Sequence, residues 1–568
     1  MGKKFFADIW QHYILWIFAF TLIYTLSYIF FFKADTGTLF YTDTDPYTRA
    51  LRIIDWLQDF QWSEKIFPYG NPLHGFVLHF TRICDIIWLI LSLPFMLFMP
   101  LKEAIFYGGM LFSPLFTALS ITTLFWAIRP YLPQTEKRNC IFAICIILTL
   151  IIFNKLEDCF DFCRPDHHSL MAFIFSFNLA AVMRSHLKDN FAAIGTAGIL
   201  AGCGIWASSA PEGLFVAAIF LAVLCINWIF FAKSLKYPLY YSMALFMTVT
   251  MAWLINPPYG GYAVISNSRL SIMHCVLCAL IFLSFVLIYL LKPENKTQKT
   301  VALIATAVLS SVVMFIVFGA QRILAPLYDD FIRQNFISVV AEMKPLYSEQ
   351  NIFRLPIVVF GDIVMIIWLL RYRLKSAWLA DSAAICLPTT IACLLAVRMQ
   401  LYFICWFAFI NAITIATLIY MSARSKLHAR AATAYLLLII FYLYSFYYSP
   451  RPKDKLPDHG VVFSDLFMMP QYIFDGGLDA LGMPYHSNIE GLHDYYTALY
   501  TNDEQELKVI LQKHNVSAIY ITSHWREKFA DSATLIPPLY QKILGDKQHY
   551  SWLRDDGDGL YSIDYQKF

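Results

Sequence analysis

Residues 157–168, EDCFDFCRPDHH, separate two apolar stretches of the chain, and residues 42–49, TDTDPYTR, follow an earlier one. Both segments place acidic residues, and the first also places two histidines, where a loop meets an apolar stretch of membrane-span length. Carboxylates and imidazoles are costly in or beside hydrocarbon, so a membrane protein that concentrates them at such junctions is expected to use them in a site. We therefore predict a divalent-metal centre at the interface between water and membrane.

The composition identifies a polytopic membrane protein. Of the 568 residues, 58% are hydrophobic and only 15% are charged, so a soluble globule of this length would lack the polar residues to cover its surface. The net charge of +3 gives no indication of a nucleic-acid partner. The apolar run at residues 13–32 is too long for a removable signal peptide, and we interpret it as a first span with the N-terminus in the cytoplasm.

Six clusters of Lys and Arg predict the sidedness of the spans, because cytoplasmic loops collect these residues. They lie at residues 129–138, 184–188, 233–236, 292–299, 371–375 and 424–430. Placing all six inside leaves the apolar segment 76–101 as a re-entrant or surface segment and gives about thirteen spans of roughly twenty residues. Large loops at residues 33–103 and 319–354 then lie on the outer face.

A change of character after residue 448 predicts a domain boundary. The segment SPRPK that follows breaks helices and strands, and charged residues become frequent beyond it. A helical pattern at residues 503–514 and strand patterns at 516–522 and 559–564 indicate a small α/β fold. The predicted domains are therefore a transmembrane α-helical domain and a periplasmic α/β domain, at residues 1–448 and 449–568.

Asp45, Asp166 and His168 are the predicted metal ligands. They offer two carboxylates and one imidazole, a set that suits a hard divalent cation such as Mg²⁺ or Mn²⁺. The spacing of Asp166 and His168 allows one loop to bring both to a single ion, whereas the cysteines lack the spacing of a zinc finger or ribbon. The alternative is that the aspartates only cap helices, which leaves the two histidines beside Asp166 unexplained.

Three polar residues within the segment 76–101, namely His79, Arg82 and Asp85, follow one another at roughly one helical turn. They form either a face that contacts an anion, with Arg82 on a phosphate, or the polar stripe of a helix at the membrane surface. The stripe is the simpler interpretation.

Three more charged residues lie near the outer ends of predicted spans. Arg398 interrupts an apolar stretch and therefore needs a partner, for which a lipid phosphate would serve. Glu342 lies in the loop 319–354. Glu212 follows a proline at the entrance of a span, where a solvated carboxylate at a helix end is the simpler interpretation.

Cys159 and Cys163 flank Asp161 in a predicted outer loop. In an oxidising periplasm they could form a disulfide, and two free thiols are an equal alternative. The other cysteines are mostly single residues inside spans, where Cys behaves as a small apolar side chain.

At these residues the sequence resembles the catalytic subunit of oligosaccharyltransferase and the wider GT-C class of glycosyltransferases that use polyprenyl-phosphate-linked sugars. Asp45-Pro46-Tyr47 is similar to the Asp-Pro-aromatic motif of that family's first outer loop, and Asp166-His167-His168 is similar to the Asp-x-(Asp/Glu/His) motif of its second. The segment VAEMKP at residues 340–345 resembles a motif of the fifth loop. Segments 78–82, 163–168 and 483–488 further resemble a group of proteobacterial membrane proteins.

The resemblance implies an enzyme of the bacterial inner membrane that moves a sugar or glycan from a polyprenyl-phosphate or polyprenyl-pyrophosphate donor to a lipid, glycan or protein acceptor, with inversion, on the periplasmic face. It implies metal ligation by Asp45, Asp166 and His168. It also places Glu342 near the metal and the acceptor, and Arg398 on the carrier phosphate. Asp45 and Glu342 are the predicted catalytic residues. The further candidate site residues are Asp43, His79, Asp85, Asp161, His167 and Glu212.

The Trp-Trp-Asp motif with which the family reads its acceptor is absent from the sequence, which weakens the case for asparagine-linked protein glycosylation. A transporter or flippase for a lipid-linked intermediate is the alternative from another class, and a non-catalytic scaffold of the cell envelope is a third. Transporters place ionisable residues and broken helices near the bilayer midplane, often in repeated halves. Here those residues cluster in predicted outer loops and no internal repeat is evident, which favours the enzyme.

Overall fold

The computed structural model describes residues 15–19, 21–23, 41–60, 62, 65–132, 145, 147–149, 164–323, 329–349, 351–372, 376–422, 425, 433, 460–530, 536–545 and 550–568. The chain divides into two compact units. The first unit comprises Met1–Phe40, Phe80–Ala325 and Ala341–Tyr447. The second unit comprises Tyr41–His79, Pro326–Val340 and Tyr448–Phe568, and it thus combines the C-terminal region with two segments of the predicted outer loops.

The described α-helices of at least eight residues are numbered in chain order. They are α1 (Thr44–Asp59), α2 (Arg82–Met96), α3 (Leu101–Met110), α4 (Phe112–Ile128), α5 (His167–Ser185), α6 (Phe191–Ala207), α7 (Leu214–Phe230), α8 (Lys236–Ile255), α9 (Ile272–Leu291), α10 (Lys296–Phe318), α11 (Leu355–Tyr372), α12 (Ala377–Leu395), α13 (Gln400–Ser422), α14 (Met469–Gly476), α15 (Ile489–Tyr500), α16 (Glu504–Lys513), α17 (Ser523–Ala530) and α18 (Pro538–Gly545). Shorter helical turns include Ser209–Gly213, Ala341–Met343 and Val397–Met399.

Eight helical segments among the described residues are long and apolar enough to cross a membrane. They are Leu101–Tyr131, Pro211–Phe230, Lys236–Ile255, Ile272–Leu291, Lys296–Phe318, Ile352–Tyr372, Ala377–Leu395 and Val397–Ser422. The prediction of a chain with several membrane helices is confirmed to this extent, while the number of about thirteen stays a prediction. Helix α2, which covers much of the apolar segment 76–101, is not one of the eight.

Helix α5, which carries both histidines of the Asp-His-His sequence at its start, lies in the interior of the first unit. It packs against α4, α6 and α13, and nearly all of its side chains are buried. A helix that is apolar on all sides is typical of such a central position. Polar groups at its first turn are therefore surrounded by protein.

Small residues on α6 let it lie close to α8. A Cβ atom at Gly198 would lie 2.4 Å from the carbonyl oxygen of Tyr241, and one at Gly202 would lie 2.6 Å from the Cβ atom of Thr248. Glycines at such contacts allow two membrane helices to approach until their backbones touch. The C-terminal end of α6 is thereby fixed, and the chain leaves it through the turn Ser209–Gly213 into α7.

The second unit contains a five-stranded sheet with the strands β1 (Val461–Phe463), β2 (Asp479–Ala480), β3 (Val516–Tyr520), β4 (Leu553–Gly557) and β5 (Leu560–Ile563). The strand order is β2-β1-β3-β5-β4. β1 pairs in parallel with β2 and β3, and β5 pairs antiparallel with β3 and β4. The predicted α/β fold is confirmed, since α16, β3 and β5 lie where the helical and strand patterns occur. Helix α1 packs against α14 in the same unit.

Candidate metal centre

Asp166 is the N-cap of α5. Its backbone is extended, with φ −143° and ψ 161°, and its carboxylate accepts a hydrogen bond of 2.5 Å from the backbone N–H of His167. The hydroxyl of Ser169 donates to the Asp166 carbonyl at 3.0 Å, and the hydroxyl of Ser113 in α4 donates to the Arg164 carbonyl at 2.7 Å. The capping interpretation of Asp166 is therefore correct, and the same contacts fix the loop that leads into α5.

His167 and His168 lie side by side at the start of α5, and both are buried. Their ring centroids are 4.1 Å apart. The Nδ1 atom of His167 contacts Asp166 Oδ1, and the Nε2 atom of His168 lies 3.4 Å from Asp166 Oδ2. The three residues offer ligand atoms that all lie within 4.8 Å of one another, which makes them a group that could hold a metal ion. The Asp166 carboxylate could thus cap α5 and bind a metal ion at the same time.

Glu212 is fully buried beside the histidines, so its interpretation as a solvated carboxylate at a helix end is wrong. Its Oε2 atom lies 3.4 Å from His168 Nδ1 and accepts a hydrogen bond of 2.7 Å from the Tyr402 hydroxyl. The reason for the burial is Gly213, where a Cβ atom would lie 2.5 Å from the carbonyl oxygen of Ser208. The turn can therefore press against the end of α6 and direct Glu212 inward.

Arg398 supplies the positive charge that faces Glu212. It lies in the turn Val397–Met399 just before α13, its Nε atom donates to Glu212 Oε1, and its side chain is 15% exposed. Its Nη2 atom lies 3.0 Å from His167 Nε2. A guanidinium only donates, so His167 accepts through Nε2 and presents its Nδ1 hydrogen to Asp166. The partner that Arg398 requires in this apolar stretch is thus the carboxylate of Glu212.

Glu342 lies in the turn Ala341–Met343, near the loop that leads into α5. Its carboxylate is 3.7 Å from the guanidinium of Arg164 and is 38% exposed. The carbonyl of Lys344 accepts a hydrogen bond of 3.0 Å from the N–H of Val397. The turns that carry Glu342 and Arg398 are therefore neighbours in the first unit.

Sequence reasoning did not select Arg164 or Tyr402. Arg164 lies two residues before Asp166 in the CRPDHH segment, and it pairs with Glu342 from a distant part of the chain. Tyr402 lies at the start of α13, and its hydroxyl donates to Glu212, a contact that depends on tertiary packing and has no local sequence signal.

Arg82 and Asp85 are also buried, so the polar-stripe interpretation of this segment is wrong for them. They form an ion pair of 3.4 Å at the start of α2. The backbone N–H of Arg82 donates to Asn256 Oδ1 at 2.9 Å, and Trp206 Nε1 donates to the same oxygen at 3.0 Å. These bonds attach the start of α2 to the C-terminal ends of α6 and α8. Arg82 and Asp85 therefore face protein and not solvent.

The remaining candidates divide between the second unit and the undescribed residues. Asp43, not Asp45, caps α1, since its carboxylate accepts a hydrogen bond of 2.7 Å from the N–H of Thr44. Asp45 lies in the first turn of α1 and accepts a hydrogen bond of 3.0 Å from the Tyr485 hydroxyl. The ring of His79 lies 4.7 Å from that of His486, centroid to centroid. The remaining three residues lie outside the described part of the chain: Asp161, Cys159 and Cys163.

No protein-family model matches the sequence, and no curated protein matches it in sequence. Solved structures match in fold. The archaeal oligosaccharyltransferase AglB from Archaeoglobus fulgidus, in complex with an inhibitory peptide and a dolichol-phosphate, matches with a TM-score of 0.66 and 13% identity over 99% of this chain and 75% of that chain. The A. fulgidus oligosaccharyltransferase in the apo form matches with a TM-score of 0.65 and 15% identity over 90% of this chain and 69% of that chain.

A structure of the same A. fulgidus enzyme in complex with Zn and sulfate matches with a TM-score of 0.58 and 14% identity, over 93% of this chain and 71% of that chain. At these identities the likeness establishes the fold. The chain therefore has the oligosaccharyltransferase fold, as the resemblance of its motifs predicted.

Proposed function

We propose that the protein is a glycosyltransferase of the bacterial inner membrane, with its C-terminal domain in the periplasm. It moves a sugar or glycan from a polyprenyl-phosphate or polyprenyl-pyrophosphate donor to an acceptor on the periplasmic face. The observation that carries the proposal is the cluster of the buried Asp166, His168 and Glu212 with the partly buried Arg398, in a chain with the oligosaccharyltransferase fold. A fold alone does not specify a reaction, so the argument depends on these side chains.

A divalent metal fits the donors that lie together in the first unit. Asp166 and His168 offer a carboxylate and an imidazole, and Glu212 lies on the other side of the His168 ring. Carboxylate oxygens suit Mg²⁺ and Mn²⁺, and an added imidazole is compatible with Mn²⁺ or Zn²⁺. When bound, such an ion supplies positive charge to a departing phosphate. Asp45, in the second unit, stays a predicted ligand.

Arg398 is the proposed contact for the donor phosphate. Glu212 and His167 each accept a hydrogen bond from its guanidinium, so they hold its plane in one orientation. A planar guanidinium binds phosphate oxygens in pairs and keeps its charge at any physiological pH. We infer that Glu212 and His167 orient Arg398 for this contact.

The proposed reaction is a single displacement with inversion. An acceptor atom attacks the anomeric carbon, the bond from that carbon to the phosphate oxygen breaks, and its electron pair leaves with the phosphate. The proton of the acceptor passes to a carboxylate, for which Glu342 and Asp45 are the proposed groups. Charge stabilisation of the leaving phosphate by Arg398 is the largest expected contribution to the rate.

The proposal is tested by profiling glycolipids and glycoproteins of a deletion strain that is complemented with variants. Wild type should restore a product that the deletion loses, and the double variant Asp166→Ala, His168→Ala should not. The variant His274→Ala is a matched control, since His274 is another buried histidine in the first turn of a helix of the first unit. Full restoration by the double variant would contradict the proposal.

A flippase gives a different result in the same strains. It leaves the sugar on its lipid, so the deletion would retain an intact lipid-linked donor and wild type would release no free polyprenyl phosphate. An enzyme releases that lipid in proportion to product. Measuring free polyprenyl phosphate in membranes thus separates the two functions.

A further inference from the structure

The segment MPYHSN at residues 483–488 is one of those that resemble a group of proteobacterial membrane proteins, and the proposed reaction assigns it no role. Its Tyr485 is buried, and its hydroxyl lies 3.0 Å from Asp45 Oδ1 and 2.7 Å from Thr48 Oγ1. Asp45 and Tyr485 are 440 positions apart in the sequence and belong to the same unit. A predicted catalytic carboxylate is thus hydrogen-bonded to a residue of the C-terminal region.

The direction of these bonds follows from the donors available. A phenol has one hydrogen and an ionised carboxylate only accepts, so that hydrogen goes to Asp45, where a charge-assisted bond is stronger. The hydroxyl of Thr48 donates to the Thr44 carbonyl at 3.4 Å, and its oxygen lies 2.7 Å from the phenol oxygen.

The segment that carries Tyr485 is hydrogen-bonded to the backbone of Gly70. Its carbonyl accepts hydrogen bonds from the N–H of Gly482, at 3.1 Å, and from Asn488 Nδ2, at 2.8 Å. Gly70 has φ +78°, and a Cβ atom there would lie 2.2 Å from Met483 Cγ. Only glycine fits this close contact.

The ring of Tyr485 is also packed against a neighbouring ring. It stacks on the ring of Phe76 at an interplanar angle of 24°, with 6.1 Å between the centroids. A ring packed in this way keeps its hydroxyl at one point, and rotation of the Asp45 carboxylate away from that point would break a charge-assisted hydrogen bond.

We propose that Tyr485 is a positioning residue that fixes the carboxylate of Asp45 for metal ligation. The inference depends on the proposed function, because it takes Asp45 as a metal ligand. Groups that hydrogen-bond to metal ligands orient them, and their removal typically weakens metal binding or activity about 10-fold to 100-fold.

The test measures Mn²⁺ binding to the purified full-length protein in detergent, through the electron paramagnetic resonance signal of free Mn²⁺. Tyr485→Phe keeps the ring and removes the hydroxyl, and we expect it to raise the Kd for Mn²⁺ about tenfold. The control is Tyr495→Phe in the same unit, which removes a buried hydroxyl that accepts a hydrogen bond from the N–H of Leu466. The control should bind Mn²⁺ as wild type does.

A double-variant cycle separates positioning from general packing. If Tyr485 acts through Asp45, Asp45→Asn with Tyr485→Phe should bind Mn²⁺ no more weakly than Asp45→Asn alone. Thr48→Val keeps the side-chain shape and removes the second acceptor beside the phenol, so it should leave Mn²⁺ binding at the wild-type level because Asp45 still accepts the phenol hydrogen.

The outcomes distinguish the inference from the proposed function. Wild-type Mn²⁺ affinity for Tyr485→Phe, together with weak binding by Asp45→Asn, would overturn the positioning role alone. Wild-type affinity for Asp45→Asn would overturn the inference and the ligand role of Asp45. Glycosyl transfer itself would still stand if Asp166→Asn lost both Mn²⁺ binding and activity.

Discussion

The guanidinium of Arg398 donates through Nε to the carboxylate of Glu212, although 186 positions separate the two residues in the sequence. Glu212 is fully buried, and Arg398 is 15% exposed. Removing one member of such a pair withdraws charge compensation from the other, which is costly in buried surroundings. The orientation of Arg398 thus depends on Glu212.

Loss of one partner of this pair should destabilise the protein. We expect Glu212→Ala to lower the free energy of unfolding by about 3–5 kcal/mol, because Arg398 is left without its carboxylate. Glu212→Ala combined with Arg398→Ala should cost less than the sum of the single changes. Thermal unfolding in detergent measures both, with the exposed Asp475→Ala as control. Additive losses would show that the two side chains do not interact.

Two substitutions of Asp166 separate its capping from its charge. Asparagine caps a helix about as well as aspartate, whereas alanine loses about 1 kcal/mol of capping. Asp166→Asn should therefore retain wild-type stability and lose Mn²⁺ binding, and Asp166→Ala should lose both. Asp503→Asn, at the N-cap of α16, is the matched control. Wild-type Mn²⁺ binding by Asp166→Asn would leave the residue with a structural role alone.

The turn that holds Glu212 should tolerate no side chain at Gly213. A Cβ atom there would lie 2.5 Å from the Ser208 carbonyl oxygen and 2.6 Å from Ile205 Cα, so the turn must move and carry Glu212 with it. We expect Gly213→Ala to reduce both stability and activity. Gly195→Ala in α6 is the control, since nothing lies within 4 Å of its Cβ position, and it should be neutral or slightly stabilising. Equal behaviour of the two variants would argue against this account of the turn.

The Arg82–Asp85 pair gives a test of the predicted phosphate contact of Arg82. Asp85→Ala alone should destabilise the protein by about 3–5 kcal/mol, because the buried guanidinium of Arg82 loses the carboxylate of its ion pair. Arg82→Met with Asp85→Leu should recover most of that loss. Steady-state kinetics of the double variant then report on the donor: a raised KM supports the phosphate contact, and an unchanged KM limits Arg82 to its structural ion pair.

The fold and part of the site followed from local patterns. Apolar stretches of span length, the strand pattern of β3 and the Asp166-His167-His168 motif each carry their signal within a few residues. The capping alternative for Asp45 misses the true cap of α1, Asp43, by two residues, because helix ends are uncertain by one or two residues at the level of pattern.

Local sequence patterns could not predict the burial of Glu212, Arg82 and Asp85. A charged residue at a helix start has the same sequence signature whether it faces water or the interior. What buries Glu212 is the contact of Gly213 with the end of α6 and the arrival of Arg398 from a distant part of the chain. Such pairings depend on tertiary packing, which no window of neighbouring residues contains.

The measurement that tests the central claim most directly is release of free polyprenyl phosphate from a sugar-loaded donor by the purified protein with Mn²⁺, compared between wild type and Asp166→Asn. The account predicts release by wild type that stops on chelation, returns with Mn²⁺, and is reduced on the order of a hundredfold or more in Asp166→Asn despite its intact helix cap. Equal release by Asp166→Asn would contradict the claim that the Asp-His-His cluster forms the catalytic metal centre.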